Sequence, residues 1–180
     1  MTRAIASMGA NNVLVMPGAA QSAGVSFGGG SSLTLTAADC EASNRECSAV
    51  VAAAPQVRFR GQVVYQDRNW VPSTILGTDA NYLTVRQWTQ LTEGDVFTES
   101  DVRNAARVCL VGQTIVREVF QGENPVGKEL RIQNVGFRVV GVLSAKGASS
   151  FGQDQDDTIL APWTTIKFRV STSSSTTSTT

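Results

Sequence analysis

The sequence predicts an α+β fold, with a strand–helix–strand unit first and a β-rich region carrying short helices after it. Three observations lead there. Before residue 56 an apolar run, a capped helical segment and a second apolar run follow in order, as in a βαβ unit or half of a split one. From Gln56 the texture changes to short segments in which apolar residues recur at period two, as half-buried strands require. Capped helical patterns interrupt those segments at several points.

Composition bounds the function classes. The chain has 180 residues, enough for one compact domain or two small subdomains with a real core. Hydrophobic residues make up 42% and charged residues 17%, with fifteen basic residues balancing fifteen acidic ones. A nucleic-acid surface needs clustered Lys and Arg, and no such run is present. There is no histidine. That removes the commonest general base near neutral pH, a Ser-His-Asp triad and any His-bearing zinc site. No apolar run approaches the ~18 residues that cross a bilayer, and MTRAIASMGANN lacks the apolar core of a signal peptide.

Three cysteines allow at most one internal bridge. On one straight helix Cys40 and Cys47 would stand roughly 10 Å apart, at about 1.5 Å per residue. A disulfide needs Cα atoms within about 7 Å, so a bridge requires the helix to end between them. Cys109, in the apolar run Val108–Val111, reads as a small buried hydrophobe.

In chain order, Arg3–Met8 reads as a helix end and Val13–Met16 as a buried strand closed by Pro17–Gly18. Residues 18–32, rich in Gly, Ser and Ala, read as a mobile loop, because they bury too little apolar surface to offset ordering entropy. Thr36 is an N-cap with Asp39 three residues on, starting a helix to about Glu46. Ser48–Ala54 then reads as a small-residue strand. Val57–Phe59 and Val63–Tyr65 alternate as strands, linked onward by Asp67–Asn69. Asp79 starts a short helix, and Arg86–Leu91 reads as a strand with Trp88 on one face, closed by Glu93–Gly94. Thr98 caps the next helix, with Asp101 at its third position.

Arg107–Val111 follows as a buried strand, and Gly112 turns the chain into a helix with an apolar stripe of Ile115, Val116, Val119 and Phe120. Gly122, Asn124 and Pro125 end it. Val126–Ile132 and Val135–Leu143 make a hairpin across Asn134, with Phe137 and Val139 on one face and Gly141 as a third candidate. Lys146–Gln153 reads as a Gly/Ser loop, Thr158–Ala161 as a strand, and Pro162 as the first-turn proline of a helix. The Ser/Thr tail is low-complexity and reads as disordered.

Candidate chemistry is sparse. The turn positions are Gly94, Gly112, Asn124, Pro125 and Gly127. Gly122–Lys128 fits the skeleton of a phosphate loop, but Glu129 stands where Mg²⁺ coordination wants Ser or Thr, and a helix precedes it where a strand should. It reads as a helix-ending turn. Asp154, Asp156 and Asp157 suggest calcium, yet the Gly and the closing Glu of an EF-hand loop are missing. That segment reads as a solvated loop. Trp70, Tyr82 and Trp88 are candidate partner-contact rings, read first as core and rim packing together with Tyr65.

Residues now quoted carry a resemblance. GANNVLVMPG, LTAADCEA, the long run VRQWTQLTEGDVFTESDVRNAARVCLVGQTIVREVFQGENPVGKELRIQNVGFRVVGVLSAKG and DTILAPWTTIKFRV resemble, in order, the periplasmic core domain of MacB-type (FtsX-like) ABC transporter permeases. Its most specific features are the strand end Val108–Gly112, the helix bearing Phe120, the N-P-V-G-K turn and the G-V-L exit strand. The resemblance implies a partial porter-like βαβ base at about 1–56 and 161–180, with an inserted β-rich subdomain at 57–160. It implies a non-enzymatic domain on the periplasmic side of the bacterial inner membrane, relaying motion driven by a separate cytoplasmic ATPase. No cofactor is expected in this chain, since ATP would be used elsewhere. Implied partners are the transmembrane helices and ATPase of the transporter, a second permease, a periplasmic adaptor and an outer-membrane channel. Two other readings compete. One is a free-standing carbohydrate- or lipid-binding module using the aromatic rings. The other is a nucleotide-using enzyme resting on GENPVGK alone.

Overall fold

A computed structural model describes residues 12–16, 35–88, 90–149 and 152–170, together with paired segments at 21–22 and 25–26. Those segments, β1 (Gln21–Ser22) and β2 (Val25–Ser26), pair antiparallel. They fall within the stretch expected as a loop; the expected helix end at Arg3–Met8 and the Ser/Thr tail lie outside the described residues.

Helix α1 (Ala37–Glu46) begins at Thr36 as its capping pattern predicts. The Thr36 amide and hydroxyl donate to the Asp39 carboxylate at 2.7 and 2.8 Å, and these bonds hold that carboxyl below its usual range. The runs flanking α1 do not form the expected strands. Val13–Met16 is exposed, with Val13 at 84%. Ser48–Ala54 turns and extends with Val51 at 95% exposure. There the Asn44 amide acts as the pairing partner, donating to the Ala53 carbonyl at 2.9 Å and accepting from its N–H at 2.6 Å. An apolar run records a demand for burial, but a strand needs a neighbour with free backbone groups, which the sequence of the run cannot supply.

From residue 57 onward the chain builds one nine-stranded mixed sheet. Its strands are β3 (Val57–Phe59), β4 (Val63–Tyr65), β5 (Arg68–Trp70), β6 (Thr74–Thr78), β7 (Leu91–Gly94), β8 (Val108–Val111), β9 (Glu129–Ile132), β10 (Val135–Leu143) and β11 (Thr158–Pro162). The order is β3-β6-β11-β8-β10-β9-β4-β5, with β7 added antiparallel to the end of β10. β11 runs parallel to β6 and antiparallel to β8, and β8 parallel to β10. The residue 160/161 boundary drawn between base and insert falls inside β11.

Short helices lie between strands: α2 (Asn81–Val85), α3 (Glu99–Arg103), α4 (Gln113–Glu118) and α5 (Trp163–Thr165), which widens into a π-helical turn over Ile166–Val170. Strand alternation sorts the core into two clusters. Cys109, Val111, Ile159 and Ala161 join Ile115, Val119, Phe120 and Phe137 in the first. Val108, Leu110 and Leu160 join Leu83, Trp88, Phe97 and Val102 in the second. All of β8 and β11 is buried.

Two expectations shift locally. Arg86–Leu91 is not a strand: Gln87 takes φ +51°, Trp88 turns into the second cluster, and pairing begins only at Leu91. In β10 a register shift between Val139 and Gly141 reverses the alternation. Phe137 and Val139 share the first cluster, while a Cβ on Gly141 would meet Leu110 of the second at 2.9 Å.

Phe120 is fully buried, its ring 4.4 Å from Tyr65. Phe120→Ala should lower unfolding free energy by about 3–5 kcal/mol through lost burial and the cavity left behind. Denaturant titration with an unchanged m-value checks this; a loss under about 1 kcal/mol would mean the site collapses freely.

Candidate functional site

The turns close the sheet by tight backbone approach. At Gly94, φ is +72° and a Cβ would lie 2.1 Å from the Val140 carbonyl oxygen, so only glycine fits. At Gly112, the N-cap of α4, φ is an ordinary −80°, yet a Cβ would meet the Asp156 carbonyl oxygen at 2.0 Å. The side-chain oxygen of Asn124 accepts from the Val126 amide at 3.0 Å, fixing the turn through Pro125 to Gly127. Within this same segment the Lys128 ammonium donates to Glu123 at 2.5 Å. That contact joins α4's ending turn to β9, which is the helix-ending role the residue order indicates.

Two of the candidate rings pack with the second cluster and the third against the first. Trp88 is buried in the second cluster; its indole N–H donates to the Ser144 carbonyl at 2.8 Å, and the Lys146 ammonium lies 4.9 Å from the ring centroid. Burial and the neighbouring Arg86 charge pull Lys146 below the usual lysine range, against the attraction of Asp156. Tyr82 packs half-buried beside the second cluster, and desolvation pushes its phenol up. Trp70 packs against the first cluster. A shallow open depression of about 360 Å³ lies elsewhere, with Asp95, Asp101 and Arg138 around an apolar floor that includes Val96 and Val126.

The feature that sequence reasoning missed is the aspartate run before β11. Asp156 and Asp157 are 8% and 7% exposed, not solvated. Asp157 accepts from the Trp70 indole N–H at 2.8 Å, the Ser73 amide at 2.8 Å and the Ser73 hydroxyl at 2.6 Å. Asp156 accepts from the amides of Lys146 and Gly147 at 2.7 and 2.9 Å. Asp154 accepts from the Thr114 hydroxyl at 2.6 Å and the Asp156 amide at 2.8 Å. The carboxylates bind protein donors, and no group of three or more His, Cys, Asp or Glu among the described residues is arranged to hold a metal. A signal was present: three acids directly ahead of an apolar strand, in a lightly charged chain, suit internal acceptors as well as solvent. Chemically the arrangement fastens loops to the sheet.

All three thiols are free. α1 ends at Glu46, with Cys47 as its extended C-cap just beyond, and Cys40 and Cys47 are not bridged. Burial pushes the Cys109 thiol far up, and burial with nearby Asp79 and Glu41 raises Cys40.

Comparison with known proteins assigns this geometry to a class. The family described as MacB-like periplasmic core domain matches residues 1–180. The chain therefore belongs to that family. It is 61% identical over 172 residues to the macrolide export ATP-binding/permease protein MacB of Syntrophobacter fumaroxidans, covering 96% of this chain and 24% of the relative. Identity to the corresponding protein of Rhodopirellula baltica is 44%, over 94% of this chain and 24% of that one. The chain thus spans about a quarter of the length of these relatives. The fold is similar to the crystal structure of the periplasmic region of MacB from Actinobacillus actinomycetemcomitans, with TM-score 0.65 and 23% identity over 76% of this chain and 59% of that one. It is also similar to the extracellular domain of the noncanonic ABC-type transporter YknZ from Gram-positive bacteria, with TM-score 0.63 and 17% identity over 76% and 67% of the two chains. No helix among the described residues is long and apolar enough to cross a membrane.

Two outcomes follow from this geometry. Asp157→Ala should cost about 1–3 kcal/mol, because it strands Ser73 and Trp70 donors near the sheet. Chemical unfolding should show that loss together with a changed Trp emission, and wild-type stability would contradict the anchoring role. With a thiol reagent, exposed Cys47 should react first, Cys40 later and Cys109 only on unfolding. Mass mapping that found Cys109 labelled in the native fold would contradict its burial.

Proposed function

We propose that this domain is the extracytoplasmic relay of a MacB-type ABC permease. The family match across residues 1–180, with a MacB relative at 61% identity, supports this reading. ATP would be used by a separate cytoplasmic ATPase, and this chain would need no cofactor and catalyse no reaction. Its partners would be the transmembrane helices of the transporter, a second permease, a periplasmic adaptor and an outer-membrane channel. Residues 1–56 and 161–180 would belong to a porter-like base and 57–160 to the insert. The relatives' names support a macrolide as cargo.

Physical features support a relay more than a binding module. A sheet with packed clusters on both faces, cross-fastened by buried carboxylates, resists shear and passes displacement on as a unit. Trp88 and Tyr82 pack with the second cluster and Trp70 against the first, which favours packing over a carbohydrate- or lipid-binding platform for these rings.

The test uses the full-length permease carrying this domain in membrane vesicles. Asp157→Asn, which weakens one anchor, should leave ATP hydrolysis in place while lowering macrolide transported per ATP. Unchanged coupling in a variant whose periplasmic domain has demonstrably melted would sink the relay reading.

A further inference from the structure

The segment Trp163–Val170 leaves the central strand β11 directly and crosses from one face of the sheet to the other. Trp163 packs against the second cluster, whereas Ile166 and Val170 belong to the first. It lies close over β6: a Cβ on Gly77 would meet the Trp163 Cα at 2.9 Å and the Ile166 Cβ at 3.0 Å. Past Thr165 the helix widens into a π-turn, a form found mostly as single turns and often at functional positions.

Three of its polar side chains reach one target, while the Lys167 ammonium lies over the segment's own Trp163 and Phe168 rings. The Thr164 hydroxyl donates to the Val102 carbonyl, the Thr165 hydroxyl to the Ala106 carbonyl at 2.7 Å, and the Arg169 Nε to the Ala105 carbonyl at 3.0 Å. Helical threonines ordinarily bond back to a carbonyl of their own preceding turn. Here both hydroxyls bond across to α3's exit, although Thr164 is 8% exposed and Thr165 fully buried. The acceptors are carbonyls at and beyond the last turn of α3, where intrahelical partners run out and a cation is favoured. Ala105 among them takes φ +48°, a conformation that side chains other than glycine adopt at a cost. Three side chains therefore hold the end of α3, adding to the Ala105 amide that also donates to the Val102 carbonyl, at 3.3 Å, and reaching the Ala105 and Ala106 carbonyls just past the helix.

We propose that Thr164, Thr165 and Arg169 form a latch coupling the exit segment to α3. Displacement of the chain beyond Val170 would reach Val102 and Phe97 of the second cluster through these contacts, as well as β11 through the backbone. The proposal rests on the relay reading above and names the contacts by which motion enters the β-rich subdomain.

The test uses the full-length permease in vesicles. The double variant Thr164→Val, Thr165→Val keeps side-chain shape and removes both donors, whereas Thr164→Ser, Thr165→Ser retains them. The Val pair should speed amide exchange at Ala105 and Ala106 and lower macrolide transported per ATP severalfold, and the Ser pair should restore both. Wild-type coupling in a folded Val pair overturns the latch. If the Val pair does not fold, Arg169→Ala, at an exposed position, substitutes for it. That variant should lower coupling in the same direction, and unchanged coupling overturns the latch. Asp157→Asn run in parallel separates the two ideas. A fall there without one in the latch variants removes the latch and keeps the relay; wild-type coupling in every variant removes both.

Discussion

The insertion of β11 between β6 and β8 is the constraint on which the fold depends. Thr158–Pro162 comes from the far end of the described chain, yet it fills the gap that makes one sheet out of two halves. Its alternating residues complete both clusters at once, Ile159 and Ala161 on one side and Leu160 on the other. Such a strand gains backbone pairing on both edges and apolar burial on both faces, so removing it would expose both cores together. Because the pairing is long-range, it carries a large loop-closure cost before any reward. The buried carboxylates just ahead of β11 offset part of that cost by tying it to Ser73, Trp70, Lys146 and Gly147.

This arrangement bears on what the domain can do. The polar groups that might have formed a chemical centre are consumed internally: Asp157 by Trp70 and Ser73, Asp156 by the 146–147 amides, Lys128 by Glu123. Side chains that fasten loops to a sheet leave few free for a ligand, and the family to which the chain belongs is one of transporter-associated periplasmic domains.

Much of the β-rich region was legible in sequence because its signals are local. Period-two alternation marked Val57–Phe59 and Val63–Tyr65, an unbroken apolar run marked Val108–Val111, and Thr36 and Thr98 with an acid three residues on marked two helix starts. The misreadings share one cause. Val13–Met16 and Ser48–Ala54 have strand composition, but composition says nothing about whether an edge is available. Trp88 looked like a strand residue until the αL turn at Gln87 redirected it. The bulge in β10 reversed a face that simple alternation had assigned to Gly141. Asp157 reads as solvated because its donors are remote in sequence, 84 and 87 residues away for Ser73 and Trp70, whereas Asp154 does lie exposed.

By itself, then, the sequence determined the class of fold, the position of most strands from residue 57 on, the helix caps, the glycine turns and the family resemblance. Each rests on stereochemistry or burial demand within a few residues. Tertiary structure alone decided the sheet order, the split of the core into two clusters, the burial of Asp156 and Asp157, and the bonding of Thr164, Thr165 and Arg169 to the end of α3. Those depend on which distant groups meet, and an acceptor or a strand edge is worth something only once its partner arrives.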